Sequence, residues 1–189
     1  MKSPLNSAVF LDRDGVIVKP VDGEAPTRIS DLELIPEVIP VIFKLQKRGY
    51  KIIVVSNQPD VALGIIEEET KQGLVKKFEQ LLQENNVKLD AIYYCFHHER
   101  GIVKKYSVNC SCHKPKPGML LKAQKTFNLD MNKSFIIGDR ASDIVAGGKA
   151  GVKTILLDPE NAQDNYLSLH NIEPDYTISN IAEALKIII

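Results

Sequence analysis

Short apolar runs recur along this chain, each followed by a longer stretch with helical periodicity, and that alternation leaves few folds open. Ala8 to Leu11, Lys51 to Val55, Ala91 to Tyr94, Ser134 to Ile137 and Thr154 to Leu157 read as buried strands, with Tyr176 to Ile178 as a short sixth. Between them, Glu37 to Arg48 reads as a helix stopped by Gly49, with Pro40 tolerated in its first turn. Glu67 to Glu84 is the longest helical stretch, followed by Leu120 to Phe127, Ser142 to Ala150 closed by Gly151, and Asn180 to Ile187. Strands alternating with helices predict an α/β fold, a three-layer, Rossmann-like, mainly parallel sheet covered on both faces. Such sheets bind ligands beyond the carboxyl ends of their strands.

Bulk composition narrows the partners. The 189 residues suit one domain spanning 1–189, and a hydrophobic content of 44% is ample for its core. Twenty-four basic residues balance 24 acidic ones, so no net field draws the chain to nucleic acid or to a membrane surface. Neither a basic, aromatic-interleaved stretch nor an apolar span of membrane length appears, and the N-terminus lacks a signal pattern. The expectation is a cytoplasmic protein acting on a small molecule, with no nucleic-acid or membrane partner. A monomer is the simplest state for one compact domain.

The strand ends carry the chemistry. "SAVFLDRDGVIV" ends an apolar run in Asp12 and Asp14, whose side chains fall on the same side of an extended chain. The second strand ends in Ser56, Asn57 and Gln58, and "SFIIGDRASD" ends in Asp139 and Asp143. Singly, each reads as a solvated residue at a strand terminus, and Asp14-Gly15 as an ordinary turn. If the strands are neighbours, however, Asp12, Asp14, Ser56 and Asp139 share one pocket. Gathered carboxylates oppose each other's ionisation, and an oxygen-seeking ion such as Mg²⁺ would stabilise them.

A second constellation lies in "YYCFHHERGIVKKYSVNCSCHKPKPGML", which holds all three cysteines of the chain and three of its four histidines. Cys95-x-His97, then Cys110-x-Cys112 after a gap of twelve residues, offers three thiolates and an imidazole, a tetrahedral zinc set. His98 and His113 are possible substitutes for His97. An odd cysteine number argues against a disulfide framework. A closed four-ligand site leaves no open position for chemistry, so zinc would pin the loop 95–112 and with it the position of Lys114, two residues beyond the last cysteine.

Taken in order, "DRDG", Ser56 after a strand, Lys114 and "GDRASD" resemble the four motifs of the haloacid dehalogenase superfamily of phosphoryl-transfer enzymes. The resemblance implies that Asp12 is the nucleophile, that Asp14 protonates the leaving oxygen and then activates water, and that Ser56 and Lys114 hold the phosphoryl group. It further implies that Mg²⁺ binds the side chains of Asp12 and Asp139 and the backbone carbonyl of Asp14, while Asp143 orients the metal shell or Lys114. The zinc loop is similar to that of the branch containing the D-glycero-D-manno-heptose 1,7-bisphosphate phosphatases and the histidinol-phosphate phosphatases. Its length favours the heptose bisphosphate as substrate, with release of the 7-phosphate; histidinol phosphate or another sugar monophosphate is the alternative.

Departures from the heptose pattern mark the substrate end. "SNQPDVALG" places Leu63 where that group usually has arginine, and "CHKP" places His113 at a second such position. Two guanidiniums able to clasp a phosphate are thus missing. Asn57, Gln58, His113 and Arg140 are the expected substrate contacts, with Arg28 and Arg100 as further candidates from loops. The segment between Asp14 and the first helix is too short for a separate cap domain. Outside this enzyme class, the chain could be a non-catalytic, zinc-stabilised binding module, a reading that leaves Asp12, Asp14, Lys114 and Asp139 unexplained. A receiver-type signalling domain is disfavoured by the Asp-x-Asp pair and the cysteines. Pro159 to Asp175 reads as a connecting helix or loop, and Tyr166 and His170 have no assigned role.

Overall fold

The computed structural model describes residues 5–158 and 173–189, so Tyr166, His170 and most of the expected connection after Pro159 lie outside the described residues. Among these residues six strands form one sheet: β1 Ala8–Leu11, β2 Lys51–Asn57, β3 Ala91–Cys95, β4 Phe135–Gly138, β5 Lys153–Leu157 and β6 Tyr176–Ile178. Their order is β3-β2-β1-β4-β5-β6, and every neighbouring pair is parallel. The chain leaves β1 towards β2 on one side and later returns to β4 on the other, so β1 sits at the point where the winding reverses. A crevice opens at its carboxyl end, the ligand position of such sheets.

Among the described residues five helices cover the sheet: α1 Val38–Lys47, α2 Glu68–Glu84, α3 Gly118–Phe127, α4 Ala141–Ala150 and the short α5 Ala184–Ile187. The period-two alternation of β1 assigns the layers. Val9 and Leu11 join Ile42 and Leu45 of α1, Phe78 of α2 and Ala184 of α5 in one core cluster. Ala8 and Phe10 join Met119 and Leu120 of α3 and Ala146 of α4 in a second. Two dry layers therefore hold the central strand, and each face is sealed by helices of matching apolar stripe.

Local sequence explains most boundaries. Pro40 is the third residue of α1, where its missing N–H would have had no intrahelical partner. Gly49 and Gly151 take φ of 86° and 79° just beyond α1 and α4, a backbone region that glycine enters without steric cost. The final helix is shorter than Asn180 to Ile187: a 3₁₀ turn at Ile181–Glu183 precedes one turn of α5. Asn180 caps that turn by accepting from the Ala182 N–H at 2.8 Å. Residues 12–37 contain one 3₁₀ turn, Ile29–Asp31, and isolated bridges, with no inserted cap domain among them. No helix among the described residues is long and apolar enough to cross a membrane.

Candidate active site

Beyond the carboxyl end of β1 lies a cavity of about 530 Å³ whose wall includes Asp12, Asp14, Asn57, His113, Lys114 and Arg140. The parallel pairing that places Leu11 opposite both Val54 and Ile137 brings three strand ends to this one point. Asp12 is fixed by its own strand, its N–H donating to the Ile137 carbonyl at 3.0 Å. Its Oδ1 accepts from the Arg13 N–H at 2.7 Å and lies 2.8 Å from Lys114 Nζ.

Lys114 is buried, and its ammonium bridges Asp12 to Asp143 Oδ1 at 2.5 Å while donating to the Val55 carbonyl at 2.9 Å. Burial, the largest influence, pulls its pKa down, but Asp12 and Asp143 outweigh it, so the net shift is upward and the ammonium stays charged. The backbone of Lys114 is held as firmly: its N–H donates to Asn57 Oδ1 and its carbonyl accepts from Asn57 Nδ2, both at 3.0 Å.

Oxygens of Asp12, Asp139 and Asp143 all lie within 4.8 Å of one another. Asp139 Oδ1 and Asp143 Oδ2 are buried without hydrogen-bond partners. Burial, followed by the charges of Asp12 and Asp143, pushes Asp139 up to about 7, and burial with Asp12 pushes Asp143 up to about 6 against the opposing pull of Lys114. Three carboxylates and one ammonium leave an excess of negative charge that a divalent, oxygen-preferring cation fits. Gly15, at φ 78°, makes room, since a Cβ there would lie 2.0 Å from Asp139 Oδ2.

Asp14 is held from both sides. Gln58 Nε2 donates to its Oδ2 at 2.6 Å, and Arg13 Nε donates to its Oδ1 at 3.0 Å. Burial raises the Asp14 pKa, with the Arg13 charge opposing. Gln58 also donates to Ser56 Oγ at 3.1 Å, and both residues are buried behind the cavity wall. The expected substrate contacts Asn57 and Gln58 thus spend their amides on Lys114 and Asp14. His113 and Arg140 do line the cavity, but Arg140 is paired with Glu24 Oε2 at 3.0 Å and the Gly23 carbonyl at 3.1 Å. Arg28 pairs with Asp31 on the surface, and neither Arg28, Arg100 nor Leu63 is on the cavity wall.

Two residues escaped the sequence reading. Asp60 and Arg13 lie inside the stretches "SNQPDVALG" and "DRDG" but have no role assigned there: Asp60 sits on the cavity wall from the 3₁₀ turn Pro59–Val61, and Arg13 is wholly buried beside Asp14. Strand alternation alone could have located Arg13, because a residue between two cavity-facing aspartates must point into the opposite layer.

Nearby, the ligand atoms of Cys95, His97, Cys110 and Cys112 lie within 4.8 Å of one another. Cys112 Sγ is 2.9 Å from Cys95 Sγ, 3.2 Å from Cys110 Sγ and 3.5 Å from His97 Nδ1, so three sulfurs and one imidazole surround a common centre. That donor set fits a tetrahedral zinc. The loop is also tied to the scaffold: the Ile102 and Val103 N–H groups donate to the Ala62 carbonyl at 2.8 and 3.1 Å. Tyr106 Oη donates to Glu68 Oε2 at 2.7 Å and accepts from Lys71 Nζ at 2.8 Å on α2.

A family model described as HAD-hydrolase-like matches residues 111–184. The chain is 38% identical over 188 residues to the D-glycero-beta-D-manno-heptose-1,7-bisphosphate 7-phosphatase of Escherichia coli K12, covering 95% of this chain and 93% of that one. It is 41% identical over 150 residues to the enzyme of the same name from Photorhabdus laumondii, covering 79% of each chain. Among solved structures, a HAD-like protein from Mesorhizobium loti superposes with a TM-score of 0.80 at 29% identity, over 98% of this chain and 85% of that one. The D,D-heptose 1,7-bisphosphate phosphatase of B. bronchiseptica, complexed with magnesium and phosphate, has the same fold at a TM-score of 0.76 and 23% identity, over 95% and 98% of the two chains.

Proposed function

This chain belongs to the haloacid dehalogenase-like hydrolases and is a phosphoric monoester hydrolase, and from that premise we propose that it removes the 7-phosphate of D-glycero-D-manno-heptose 1,7-bisphosphate. The observation that carries the assignment is the buried Lys114 ammonium bridging Asp12 and Asp143, with Asp139 alongside, at the mouth of β1. An acidic cluster with buried, unpaired carboxylate oxygens is an expensive arrangement unless a cation and a phosphoryl group complete it.

In the proposed mechanism Asp12 attacks phosphorus, forming an acyl phosphate as the bond to the sugar oxygen breaks. Asp14 gives its proton to that oxygen, then takes one from the water that hydrolyses the acyl phosphate, which restores Asp12 and releases inorganic phosphate. Lys114 holds Asp12 in line and offsets charge on the transferring group, while Ser56, behind the wall, contributes through Gln58. Asp12, Asp139 and the Asp14 carbonyl would hold Mg²⁺, with Asp143 supporting; bound there, the ion would neutralise the charge that keeps carboxylate and phosphate apart. Cys95, His97, Cys110 and Cys112 would hold zinc and so anchor the loop that delivers Lys114.

His113 and Arg140 are the proposed contacts for the rest of the substrate. A sugar monophosphate is the second reading, favoured because Arg140, the arginine on the described wall, is already paired with Glu24. The test is phosphate release with Mg²⁺ from heptose 1,7-bisphosphate anomers, heptose and hexose monophosphates and histidinol phosphate. Preference for a bisphosphate anomer supports the first reading, preference for a monophosphate the second, and no release from any member refutes both.

A further inference from the structure

Arg13 is the largest fully buried side chain among the described residues, and the proposed chemistry does not use it. Its guanidinium lies under α2, with Cζ 5.9 Å from the centre of the Phe78 ring. Nε donates to Asp14 Oδ1 at 3.0 Å and Nη2 lies 2.9 Å from the same oxygen as an ion pair, but neither Nη1 nor Nη2 has a hydrogen-bond partner. Stability alone does not account for this. A buried ion pair with an unsatisfied donor is commonly no better than apolar residues of the same volume, and Phe78 with its neighbours already forms an apolar lining. Arg13 is also the pivot of the turn into residues 14–18: its carbonyl accepts from the Ile17 and Val18 N–H groups, both at 2.8 Å.

The contacts have a direction. Asp14 lines the cavity while Arg13 lies against α2, yet the arginine folds back so that its Nε donates to one carboxylate oxygen and Gln58 donates to the other. The carboxylate therefore has one plane available to it. A proton donor must face the leaving oxygen within hydrogen-bond reach, and small misplacements cost large factors in rate.

We propose that Arg13 is a positioning residue: anchored against Phe78, its guanidinium fixes Asp14 in the orientation from which the carboxyl protonates the leaving alcohol oxygen. This rests on the assignment of Asp14 as acid and base. The step concerned is the first transfer, in which the Asp12–phosphorus bond forms, the phosphorus–oxygen bond to the alcohol breaks, and the Asp14 proton moves to that oxygen. A leaving group that departs as a stable anion, such as p-nitrophenolate, needs no such proton. Loss of positioning therefore has a signature that general destabilisation lacks.

The experiment measures kcat/KM, which reports this first transfer, for p-nitrophenyl phosphate and for the preferred sugar phosphate. The chains compared are wild type, Arg13→Lys, Phe78→Leu, Asp14→Asn and the Arg13→Lys/Asp14→Asn double variant, each with a melting curve. Arg13→Lys keeps the charge but loses the fork; Phe78→Leu removes the ring beneath it without touching a charge. General acid catalysis is worth roughly 10²–10⁴-fold, so Asp14→Asn should lower the ratio of sugar phosphate to p-nitrophenyl phosphate by at least about 100-fold. Arg13→Lys should lower that ratio by about tenfold or more, Phe78→Leu by less in the same direction, and the double variant should be little worse than Asp14→Asn alone. If Arg13→Lys does not fold, Phe78→Leu decides. Equal losses on both substrates, or a double variant in which the two effects multiply, overturns the role of Arg13. An unchanged ratio in Asp14→Asn overturns the acid assignment itself, and the two failures are thereby separable.

Discussion

Replacing Lys114 by methionine is the sharpest test of how this site is held together. The side chain keeps its length and its burial, but the ammonium between Asp12 at 2.8 Å and Asp143 at 2.5 Å disappears, and the Val55 carbonyl loses its donor. Asp12, Asp139 and Asp143 are then left facing one another with no protein cation among them. Removing one partner from a buried ion pair costs about 3–5 kcal/mol. For a chain of this size each kcal/mol moves the melting temperature by roughly 2–4 °C, so Lys114→Met should melt about 6–20 °C below wild type in Mg²⁺-free buffer without chelator. The same excess charge attracts a divalent ion more strongly, so Mg²⁺ should raise the melting temperature of the variant by more than that of wild type. Adding Asp143→Asn should return part of the lost stability, because it removes one of the stranded carboxylates. Phosphatase activity should fall by about 10²–10³-fold in Lys114→Met, the usual loss for one electrostatic donor at a reacting group. Thermal melts monitored by circular dichroism, with and without Mg²⁺, decide the matter. A variant melting within about 2 °C of wild type, or one stabilised by Mg²⁺ no more than wild type, would refute the reasoning that Lys114 neutralises this cluster.

Asp12→Asn conserves shape and removes the nucleophile, so turnover should vanish while the melting curve stays cooperative; a phosphate-release assay with retained activity contradicts the mechanism. Cys110→Ser should lower zinc content, measured by elemental analysis, and increase proteolytic cleavage within 95–112; unchanged zinc and activity would remove the loop assignment. Phe10 fills the second core layer between strands and α3, and Phe10→Ala should cost about 3–5 kcal/mol in urea unfolding, a cavity-forming loss. The Lys71 and Tyr106 hydrogen bonds draw the Glu68 carboxyl down to about 2 from 4.5. A depressed carboxyl stabilises the fold above its unfolded value, and that contribution is lost as pH falls through the folded one. The gap in melting temperature between wild type and Glu68→Gln should therefore be full at neutral pH and shrink between 4.5 and 2; a gap that widens on acidification contradicts this sign.

The sheet was legible because its strands are short, apolar and regularly spaced, a pattern that long-range packing reinforces. Boundaries moved where caps decided them: α3 starts at Gly118, two residues before Leu120, because the turn after Pro117 is already helical, and β2 runs on to Asn57 because β3 pairs with it that far. Asp12, Asp14, Lys114 and Asp139 could be grouped from motif order, since each sits at the same end of a parallel sheet. Side-chain partners could not be read in that way. Asn57 and Gln58 look like substrate contacts when adjacency to a strand end is the sole guide; what they touch depends on a lysine and an aspartate distant in sequence. Arg140 offered a free cation by composition, and a glutamate over a hundred positions away claims it. Alternation could place Arg13 in the layer opposite the cavity, but what it meets there, the Phe78 ring of α2, no local pattern encodes.

The two hydrogen bonds between the Asn57 side chain and the Lys114 backbone have the donor–acceptor pattern of a peptide group pairing with a strand. In effect the second strand extends itself by one borrowed rung, and Lys114 docks onto it as a single-residue strand would. The register of that docking is written into Asn57, not into the path the chain takes to reach it. Residues 98–109 could accordingly be shortened or replaced by a different closure without changing where the ammonium ends, provided the new segment still delivers its backbone to that rung. Asn57→Asp would break the interchangeability, since a carboxylate accepts from the lysine N–H but has nothing to donate to its carbonyl.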